Sequence, residues 1–524
     1  MTHRLFLLAL TILGAWLCWN AGHKGLFLLD QSMVFDSAWR ILQGQVPYRD
    51  FGMPFGPLTS FIQALSFQLL GINWHAMVAP AALLHALSVP LTWFIQRKLF
   101  PQHPGLPSWS AALFAALSFY SPIGTLWFEI TGVFLFLVAL YLVAAGPENG
   151  PRRHAYDFAA GVTLFLIFLS KQNIALFYAP CLLAWLCLRP MSNRRLLLPL
   201  LTFSSGAASA LLVATFAALS VGALPSAWYY LIEIPRQIAA ARASAEGLPL
   251  GYPKQLNYIL FPQIAILLFW AALETYRGSW RDSPWRVFVF CLLEFVAWTL
   301  TVLSTANELV IYAFGAGRLL SNSFGLIQDS ARRHSPKLRL LNYVYATLST
   351  TLLSVFVLYN VQTRFAMQFY QPARFSQSLR SPGLESLRWG DPTPLTDLVS
   401  QKEIHFPAED FQATLAFLRA QNQPFFVWGD STLFYGLAAQ PSSSPLLYLG
   451  ANHSYMRGRT QEMDQRLLAS LAKSQIAFVV RETALYVPKG VNDLRDFPLT
   501  LAWIESNFKP AQSFGIYQIL ARSR

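Results

Sequence analysis

Three aspartates stand in the first polar segment of the chain, and their side chains are the ones that could most readily carry out chemistry. Asp30, Asp36 and Asp50 occur in a sequence in which only 12% of the residues are charged. A positioned carboxylate can accept a proton from a reacting hydroxyl group. Further along the chain, Glu129 and Lys171 are isolated charges at the edges of apolar runs. These five residues are the main candidates for a reaction centre, and the surrounding elements must bring them together.

The composition excludes a chain of several soluble domains. The sequence has 524 residues, of which 54% are hydrophobic, and its mean hydropathy is +0.38. Ordinary soluble proteins carry about 25% charged residues, so roughly half of the usual polar surface is missing. The four cysteines all lie in apolar runs, which argues against a disulfide framework or a paired-cysteine zinc site. The sequence therefore predicts an α-helical polytopic membrane protein.

Apolar stretches of sufficient length predict about eleven transmembrane helices. Their approximate bounds are 5–22, 74–96, 108–122, 127–145, 156–172, 174–188, 196–222, 257–275, 285–304, 308–327 and 340–361. If the N-terminus is cytoplasmic, the inner loops carry 15 Lys and Arg residues and the outer loops carry 7. This asymmetry follows the positive-inside rule. It predicts a multi-pass protein of the inner (plasma) membrane and explains the net charge of +13 by topology rather than by nucleic-acid binding.

The C-terminal region, residues 362–524, is more polar than the predicted transmembrane domain, residues 1–361. It contains three short apolar runs, which begin at Pro424, Ile476 and Ile516, and helix-like stretches lie between them. Strands that alternate with helices are typical of an α/β domain. Because the last predicted span ends on the outer side, we expect this domain to be extracytoplasmic, in a periplasm or its equivalent.

The first outer loop, residues 23–73, is unusually long and contains two segments with helical spacing of apolar residues. Asp30–Leu42 is the first amphipathic helix, and Pro57–Leu70 is the second, ended by Gly71. Amphipathic helices of this kind lie in the membrane interface. The sequence therefore predicts a ledge over the outer membrane surface, with the three aspartates of the loop on it.

The motifs of this loop resemble those of family-C (GT-C) glycosyltransferases, and more narrowly those of the protein O-mannosyltransferase and aminoarabinose transferase superfamily. Asp30 follows the first span and precedes Ala38-Trp39-Arg40 by eight residues. A Gly-x-x-Pro-Tyr-Arg-Asp-Phe pattern occupies residues 44–51, and Gly56-Pro57-Leu58 comes after it. Glu129 stands at the outer mouth of the fourth span, and Ser170-Lys171-Gln172-Asn173 connects two spans. The resemblance covers about residues 1–190 by motif and the remainder by layout.

Two positions depart from the pattern of these relatives. The Asp-Glu pair that many of them carry is Asp30-Gln31 here, which leaves one carboxylate instead of two. The Lys that often precedes Gly-Pro is Phe55, so a phosphate-contacting Lys cannot be carried over to that position.

The resemblance implies a GT-C fold and transfer of a sugar from a polyprenyl-phosphate donor to a hydroxyl acceptor at the outer membrane face. The acceptor is a lipid, a polysaccharide or a protein. Asp30 would be the general base, and Glu129 would position the acceptor or share that task. A phosphate leaves without a proton, so no general acid is needed. A divalent metal is compatible with the reaction but not implied, because the sequence has no Asp-x-Asp pair and no His cluster.

Cations at the membrane boundary would stabilise the leaving phosphate. The candidates for binding the substrates through charge or hydroxyl groups are Lys171, Arg236, Arg242, Asp36, Tyr48 and Asp50. Three of them also have a purely structural interpretation. Asp50 can pair with Arg49 or Arg40, Lys171 can reach to the lipid headgroups, and Tyr48 can cap the ledge.

Two other functions fit a polytopic chain. A transporter or flippase of a lipid-linked glycan would place its charged site near the midplane between repeated halves, and we find no internal repeat. A non-catalytic glycan-binding or assembly protein would tolerate the loss of Asp30. Glu294 and Arg318 fall at a similar depth in neighbouring spans, and we interpret them as a structural ion pair rather than as a site.

Overall fold

The computed structural model describes most of the chain in separate segments. They are residues 2–24, 26, 28–102, 105–119, 124–147, 150–188, 197–237, 285–305, 309–334, 377–389, 395–396, 403–404, 408–447, 460–483 and 497–523. Within helices, the side chains of residues 2, 28–30, 285–286, 302–305, 309–313, 316, 329–334 and 460 are not among those described.

In the described residues before 335, the regular secondary structure is helical. Its helices are α1 Thr2–Gly22, α2 Leu28–Leu42, α3 Leu58–Leu70, α4 Trp74–Leu99, α5 Gly105–Ser118, α6 Phe128–Ala145, α7 Pro151–Ser170, α8 Gln172–Leu188, α9 Leu197–Ser220, α10 Leu224–Trp228, α11 Trp285–Thr305 and α12 Leu309–His334. A π-helical turn, Tyr229–Glu233, continues directly from α10.

Among the described segments, α1, α4, α6 and α9 are long and apolar enough to cross a bilayer, and shorter apolar helices occur within α3, α8 and α11. The predicted spans 257–275 and 340–361 lie outside the described residues. The total of about eleven spans therefore stays a prediction, as does the domain boundary at residue 361.

Local sequence sets the helix ends around the first loop. Gly71 ends α3 with a positive φ of 83°, a conformation that costs glycine little. Asn73 then caps α4 by accepting a hydrogen bond from the backbone N–H of Ala76 at 2.9 Å. Lys171 takes an extended backbone conformation between α7 and α8. Lys171 is therefore the one residue between the end of α7 at Ser170 and the start of α8 at Gln172.

Glycines allow α7 and α9 to pack backbone against backbone. A Cβ placed on Gly161 would meet the Phe203 carbonyl oxygen at 1.9 Å, and one on Gly206 would meet the Phe158 carbonyl oxygen at 2.1 Å. The remaining faces of α9 expose large apolar side chains, which include Leu197, Leu201, Leu212, Val213 and Phe216. An exposed surface of this kind is expected where a helix meets lipid.

The C-terminal part contains a mixed four-stranded sheet with helices between its strands. The strand order is β5-β6-β8-β7, in which β5 and β6 are parallel and the other pairs are antiparallel. The bounds are β5 Phe425–Trp428, β6 Phe478–Glu482, β7 Phe508–Phe514 and β8 Tyr517–Arg522, with helices α13 Ala408–Gln421, α14 Phe434–Leu437, α15 Thr460–Lys473 and α16 Pro498–Asn507. The three predicted apolar runs coincide with β5, β6 and β8. Two short hairpins precede the sheet, β1 Gln377–Ser378 with β2 Arg388–Trp389 and β3 Leu395–Thr396 with β4 Glu403–Ile404.

The predicted ledge differs from the structure in one respect. Both helices form, but α2 is buried along its length from Gln31 to Arg40 instead of presenting a polar face to water. The segment that follows α14 covers it: the indole Nε1 of Trp39 donates to the Gln440 carbonyl oxygen at 2.9 Å, and the N–H of Gly52 donates to the Pro445 carbonyl oxygen at 2.9 Å. Within the first loop (loop 1), α2 is therefore covered by the C-terminal part of the chain.

Glu294 and Arg318 form an ion pair between α11 and α12. Arg318 Nε lies 2.5 Å from Glu294 Oε1, and both side chains are buried. Asn322 donates to Glu294 Oε2 at 2.8 Å, and Gln96 donates to Asn322 Oδ1 at 2.9 Å. The pairing that we predicted is confirmed, and it links α4, α11 and α12 through polar contacts.

Candidate functional site

An ion pair at the break between α7 and α8 is the centre of the candidate site. Lys171 Nζ lies 2.7 Å from Glu129 Oε1, and their side chains are 20% and 5% exposed. Glu129 occupies the first turn of α6, where the positive end of the helix dipole stabilises a carboxylate. The two charges that the sequence places far apart are therefore in contact.

Within the described residues, one oxygen of Glu129 is engaged and the other is not. Glu129 Oε2 is buried and has no hydrogen-bond partner in the described part of the chain. A buried carboxylate oxygen without a partner is costly, and each such group calls for an explanation. An oxygen that accepts a hydrogen bond from a bound ligand would provide one.

Aromatic rings support the cation on its other side. Lys171 Nζ lies 4.8 Å from the centre of the Phe55 ring, within the range of a cation–π contact. The Phe55 ring in turn packs on Phe128, with ring centres 4.0 Å apart. The position where many relatives carry Lys is thus occupied here by a ring that contacts Lys171.

The Gly-Pro-Leu motif lies directly on the end of α7. A Cβ on Gly56 would meet the Leu169 carbonyl oxygen at 1.9 Å, so only glycine permits this approach. Beside it, the Thr59 and Ser170 hydroxyl oxygens are 3.1 Å apart, and Ser170 donates to the Phe128 carbonyl oxygen at 2.7 Å. These contacts fix loop 1, α6 and the end of α7 together one residue before Lys171.

Gln172, the residue after Lys171, connects the start of α8 to two further segments. Its Nε2 donates to the Pro54 carbonyl oxygen and to the Leu231 carbonyl oxygen, each at 3.3 Å. Leu231 belongs to the π-helical turn, and such turns are frequent at functional sites. Arg236, which is exposed, follows this turn by three residues. The structure describes no contact that joins Arg236 to Lys171, and Arg242 lies outside the described residues.

The first turn of α2 begins beside α6. Asp30 is in that turn, and its side chain is outside those described. Its neighbour Gln31 donates to the Thr125 hydroxyl oxygen at 3.3 Å, and Thr125 precedes Glu129 by four residues. The backbone of Asp30 therefore lies near the start of α6.

Asp36 is engaged by the protein. Its carboxylate pairs with Arg40 at 2.9 Å, both side chains being fully buried, and it accepts a hydrogen bond from Ser442 at 2.5 Å. Arg40 also donates to the carbonyl oxygens of Ser444 and Leu446. Burial raises the pKa of Asp36, and Arg40 opposes that rise. This cluster holds α2 to the C-terminal part.

Asp50 and Tyr48 also have partners within the protein. Asp50 pairs with Arg49 at 2.7 Å and accepts the backbone N–H of Val46 at 2.7 Å. The Arg49 guanidinium is the main cause that lowers the pKa of Asp50. Tyr48 is buried, has a φ of 70° and donates its hydroxyl to the Phe55 carbonyl oxygen at 2.7 Å. The pairing of Asp50 and the capping by Tyr48 follow the structural interpretations given above.

Sequence reasoning missed the residues that connect the segments. Gln31, Thr59 and Gln172 are polar side chains within or next to the motifs, but their partners lie 94, 111 and 59 residues away in the chain or further. No local pattern reports such pairings. Among the described residues, no three His, Cys, Asp or Glu side chains lie close enough together to hold a metal ion.

Comparison with known protein families agrees with the resemblance found in the motifs of the first loop. The family of dolichyl-phosphate-mannose-protein mannosyltransferases matches residues 54–218, a segment that contains Glu129 and Lys171. Among curated proteins, no relative matches this chain.

Solved structures match over nearly the whole chain. ArnT from Cupriavidus metallidurans in the apo state is 14% identical, and the alignment covers 98% of this chain and 97% of that one at a TM-score of 0.52. ArnT from the same organism bound to undecaprenyl phosphate is 13% identical. That alignment covers 99% of this chain and 98% of that one at a TM-score of 0.51. The Archaeoglobus fulgidus oligosaccharyltransferase is 12% identical over 98% of this chain and 73% of that one, with a TM-score of 0.48. The family match and the shared fold confirm that this chain resembles the family-C glycosyltransferases of the protein O-mannosyltransferase and aminoarabinose transferase superfamily.

Proposed function

We propose that this protein is a membrane glycosyltransferase that moves a sugar from a polyprenyl-phosphate donor to a hydroxyl acceptor at the outer face of the membrane. The family match on residues 54–218 and the ArnT-like fold support a transferase of lipid-linked sugars. ArnT itself binds undecaprenyl phosphate, which supports a polyprenyl-phosphate donor here.

The observation that carries the proposal is the Lys171–Glu129 pair with its unpartnered oxygen. A purely structural pair in a low-dielectric setting is stable only when its remaining hydrogen-bonding capacity is satisfied. Here one carboxylate oxygen has no partner among the residues that the structure describes. We assign that oxygen to a hydroxyl of the acceptor or of the sugar.

The reaction forms a bond between the acceptor oxygen and the anomeric carbon while the bond from that carbon to the phosphate oxygen breaks. Asp30 takes the acceptor proton as the new bond develops, because a neutral hydroxyl is a weak nucleophile. The electron pair of the broken bond stays on the leaving polyprenyl phosphate. Lys171 and Arg236 stabilise the charge that develops there.

The other predicted substrate contacts have a different role in this proposal. Asp36, Tyr48 and Asp50 are occupied by protein groups, so we assign them to the scaffold that holds loop 1. Arg242 is retained as a second candidate cation of the same outer loop as Arg236.

A transfer assay separates the enzyme from its two rivals. Purified full-length protein in liposomes receives a polyprenyl-phosphate sugar with a radiolabelled sugar, together with membrane lipids or periplasmic extract as acceptors. A transferase releases polyprenyl phosphate and moves the label to the acceptor. Label that crosses the bilayer while still attached to its lipid would identify a flippase, and donor that is bound but not consumed would identify a glycan-binding protein.

A further inference from the structure

A cavity of about 900 Å³ lies between the start of α1 and the end of α4. Its lining residues are His3, Arg4, Leu7, Trp93, Phe94, Arg97, Lys98 and Pro101. Pockets of 300–1,000 Å³ accommodate ligands of drug-like size, so this cavity has room for a complete lipid headgroup. The proposed glycosyl transfer makes no use of it.

The cavity is basic and contains no carboxylate among its lining residues. Arg4, Arg97 and Lys98 supply three cations. The Arg97 guanidinium lies 4.6 Å from the centre of the Trp93 ring, and this contact orients it. Three cations around one cavity, with no carboxylate among its lining residues, favour an anionic ligand.

A second observation at the same cavity points to a hydrogen-bond acceptor. Trp93 is 9% exposed, and its indole Nε1 is a buried donor without a partner in the described part of the chain. Trp109 stacks against His3 and packs on Trp93, with ring centres 5.7 and 5.6 Å apart. The rings of His3, Trp93 and Trp109 therefore pack together on this side of the cavity, and the N–H of Trp93 is a donor that an anionic oxygen would satisfy.

The position of the cavity identifies the source of the anion. From Arg4 to Gly22, α1 rises about 27 Å at roughly 1.5 Å per residue, close to the thickness of the bilayer core. The cavity thus lies one membrane thickness away from loop 1. Leu5, Leu8 and Phe94 beside it are large apolar side chains that stay exposed, as expected for a surface in contact with acyl chains.

From these observations we infer that the cavity binds the phosphate headgroup of an anionic phospholipid in the membrane leaflet opposite the glycosyl-transfer site. Arg4, Arg97 and Lys98 contact the phosphate oxygens, the Trp93 indole donates to one of them, and the acyl chains lie along the exposed face of α1 and α4. Basic pockets between transmembrane helices on the cytoplasmic side bind headgroups in this way.

Native mass spectrometry of the full-length protein in detergent, titrated with phosphatidylglycerol or phosphatidylcholine, tests the inference. We expect tight binding of one phosphatidylglycerol and much weaker binding of phosphatidylcholine. Each cation near the membrane surface contributes about fivefold in affinity. The triple variant Arg4→Gln/Arg97→Gln/Lys98→Gln should therefore lose at least tenfold in affinity for phosphatidylglycerol.

Two further variants control for folding and for general charge. Trp93→Phe retains the aromatic ring and removes the N–H donor, and it should weaken phosphatidylglycerol binding about fivefold to tenfold. Arg152→Gln removes an exposed cation at the start of α7, outside the cavity, and should bind as the wild type does. The inference is wrong if the triple and Trp93 variants bind phosphatidylglycerol normally or if phosphatidylcholine binds equally well. Displacement of the lipid by millimolar inorganic phosphate would also contradict it, because the site would then be one for free phosphate.

Discussion

Two buried glutamates in this chain have the same charge and a comparable depth of burial but different surroundings. Glu294 uses both oxygens, on Arg318 and on Asn322. Glu129 uses one oxygen on Lys171 and leaves the other without a partner in the described part of the chain. Arg318 Nη1, on the other side of the first pair, has no partner in the described part of the chain, so the contrast concerns the carboxylates alone. A carboxylate with both oxygens engaged fits a structural role, whereas the half-engaged Glu129 carboxylate is suited to a ligand.

Replacing Glu129 by Gln should lower the rate of sugar transfer about a hundredfold, because a preorganised charge beside the reacting atoms typically contributes that much. The substitution also removes the charge that pairs with Lys171, so the melting temperature should fall as well, and the rate is therefore measured on the protein that remains folded. Transfer of labelled sugar, followed together with thermal unfolding, checks this expectation.

The matched control is Asp157→Asn on α7. Asp157 pairs with Arg153 at 2.8 Å and is buried as Glu129 is, but it lies in the N-terminal half of α7, away from Lys171 at the other end of that helix. It should lower the melting temperature without a comparable fall in the transfer rate of the protein that remains folded. Equal losses of rate in the two variants would show that Glu129 has only a structural role.

The sequence predicts these residues to different extents. Scarcity of charge identifies Glu129 and Lys171 as unusual, and their contact agrees with a shared role. The burial of Asp36 could not be predicted, because its partner Ser442 lies 406 residues further along the chain. The sequence shows which residues are charged, whereas the partner of each charge depends on tertiary packing.

At the scale of elements, the approach of loop 1 to the end of α7 depends on Gly56, because glycine has no side chain. Gly56→Ala would drive a Cβ into the Leu169 carbonyl oxygen and move the Gly-Pro-Leu turn away from Lys171. Forced overpacking of this kind costs about 1–3 kcal/mol. We therefore expect a lower melting temperature and at least a tenfold loss of transfer rate.

Gly105→Ala is the control for that substitution. An added Cβ at Gly105 meets nothing within 4 Å, and alanine favours the helix that starts there. This variant should melt at the wild-type temperature or slightly above it. A Gly56→Ala protein with unchanged stability and rate would exclude the tight approach as a feature of the working enzyme.

The attachment of α2 to the C-terminal part depends on Arg40. Arg40→Met leaves the Asp36 carboxylate buried and unpaired and removes the donors to the Ser444 and Leu446 carbonyl oxygens. Breaking a buried ion pair costs about 3–5 kcal/mol. The melting temperature should be lower than that of the wild type. Limited proteolysis should cut the segment 440–447 faster than it does in the wild type.

The exposed pair of the same loop provides the comparison. Arg49→Met breaks the pairing with Asp50, in which the Arg49 side chain is 45% exposed, and solvent-exposed pairs contribute little. It should leave both the melting temperature and the cleavage rate of residues 440–447 near those of the wild type. If Arg40→Met behaves in the same way, the buried cluster does not hold α2 in place.

For the whole molecule, hydropathy predicts the long apolar helices α1, α4, α6 and α9, and helical periodicity predicts α2 and α3. α2 and α3 begin and end within two residues of their predicted bounds, because amphipathic spacing and Gly71 are local signals. The burial of α2 beneath residues 440–446 is not predicted, since an amphipathic helix has the same pattern at a membrane surface and under a second layer of protein.

The predicted topology can be tested with two glutamines that lie at opposite ends of the helical part. Gln43 and Gln102 are both exposed. Both cysteine substitutions are made in a protein in which the exposed Cys187 is replaced by Ser. In cells whose outer envelope has been permeabilised while the inner membrane stays intact, Gln43→Cys should react with a membrane-impermeant maleimide. Gln102→Cys should react only after the inner membrane is opened. The reverse pattern would invert the orientation and exclude an outer-face reaction centred on loop 1.

The central claim is that a carboxylate in the first turn of α2 takes the acceptor proton while Glu129 and Lys171 bind the substrates. Single-turnover transfer from a radiolabelled polyprenyl-phosphate sugar, compared between the wild type and Asp30→Asn, tests it most directly. We predict that the substitution lowers the rate at least a hundredfold and leaves donor binding unchanged, whereas Asp50→Asn in the same loop retains most of the rate. Full turnover by the Asp30→Asn protein would contradict the mechanism.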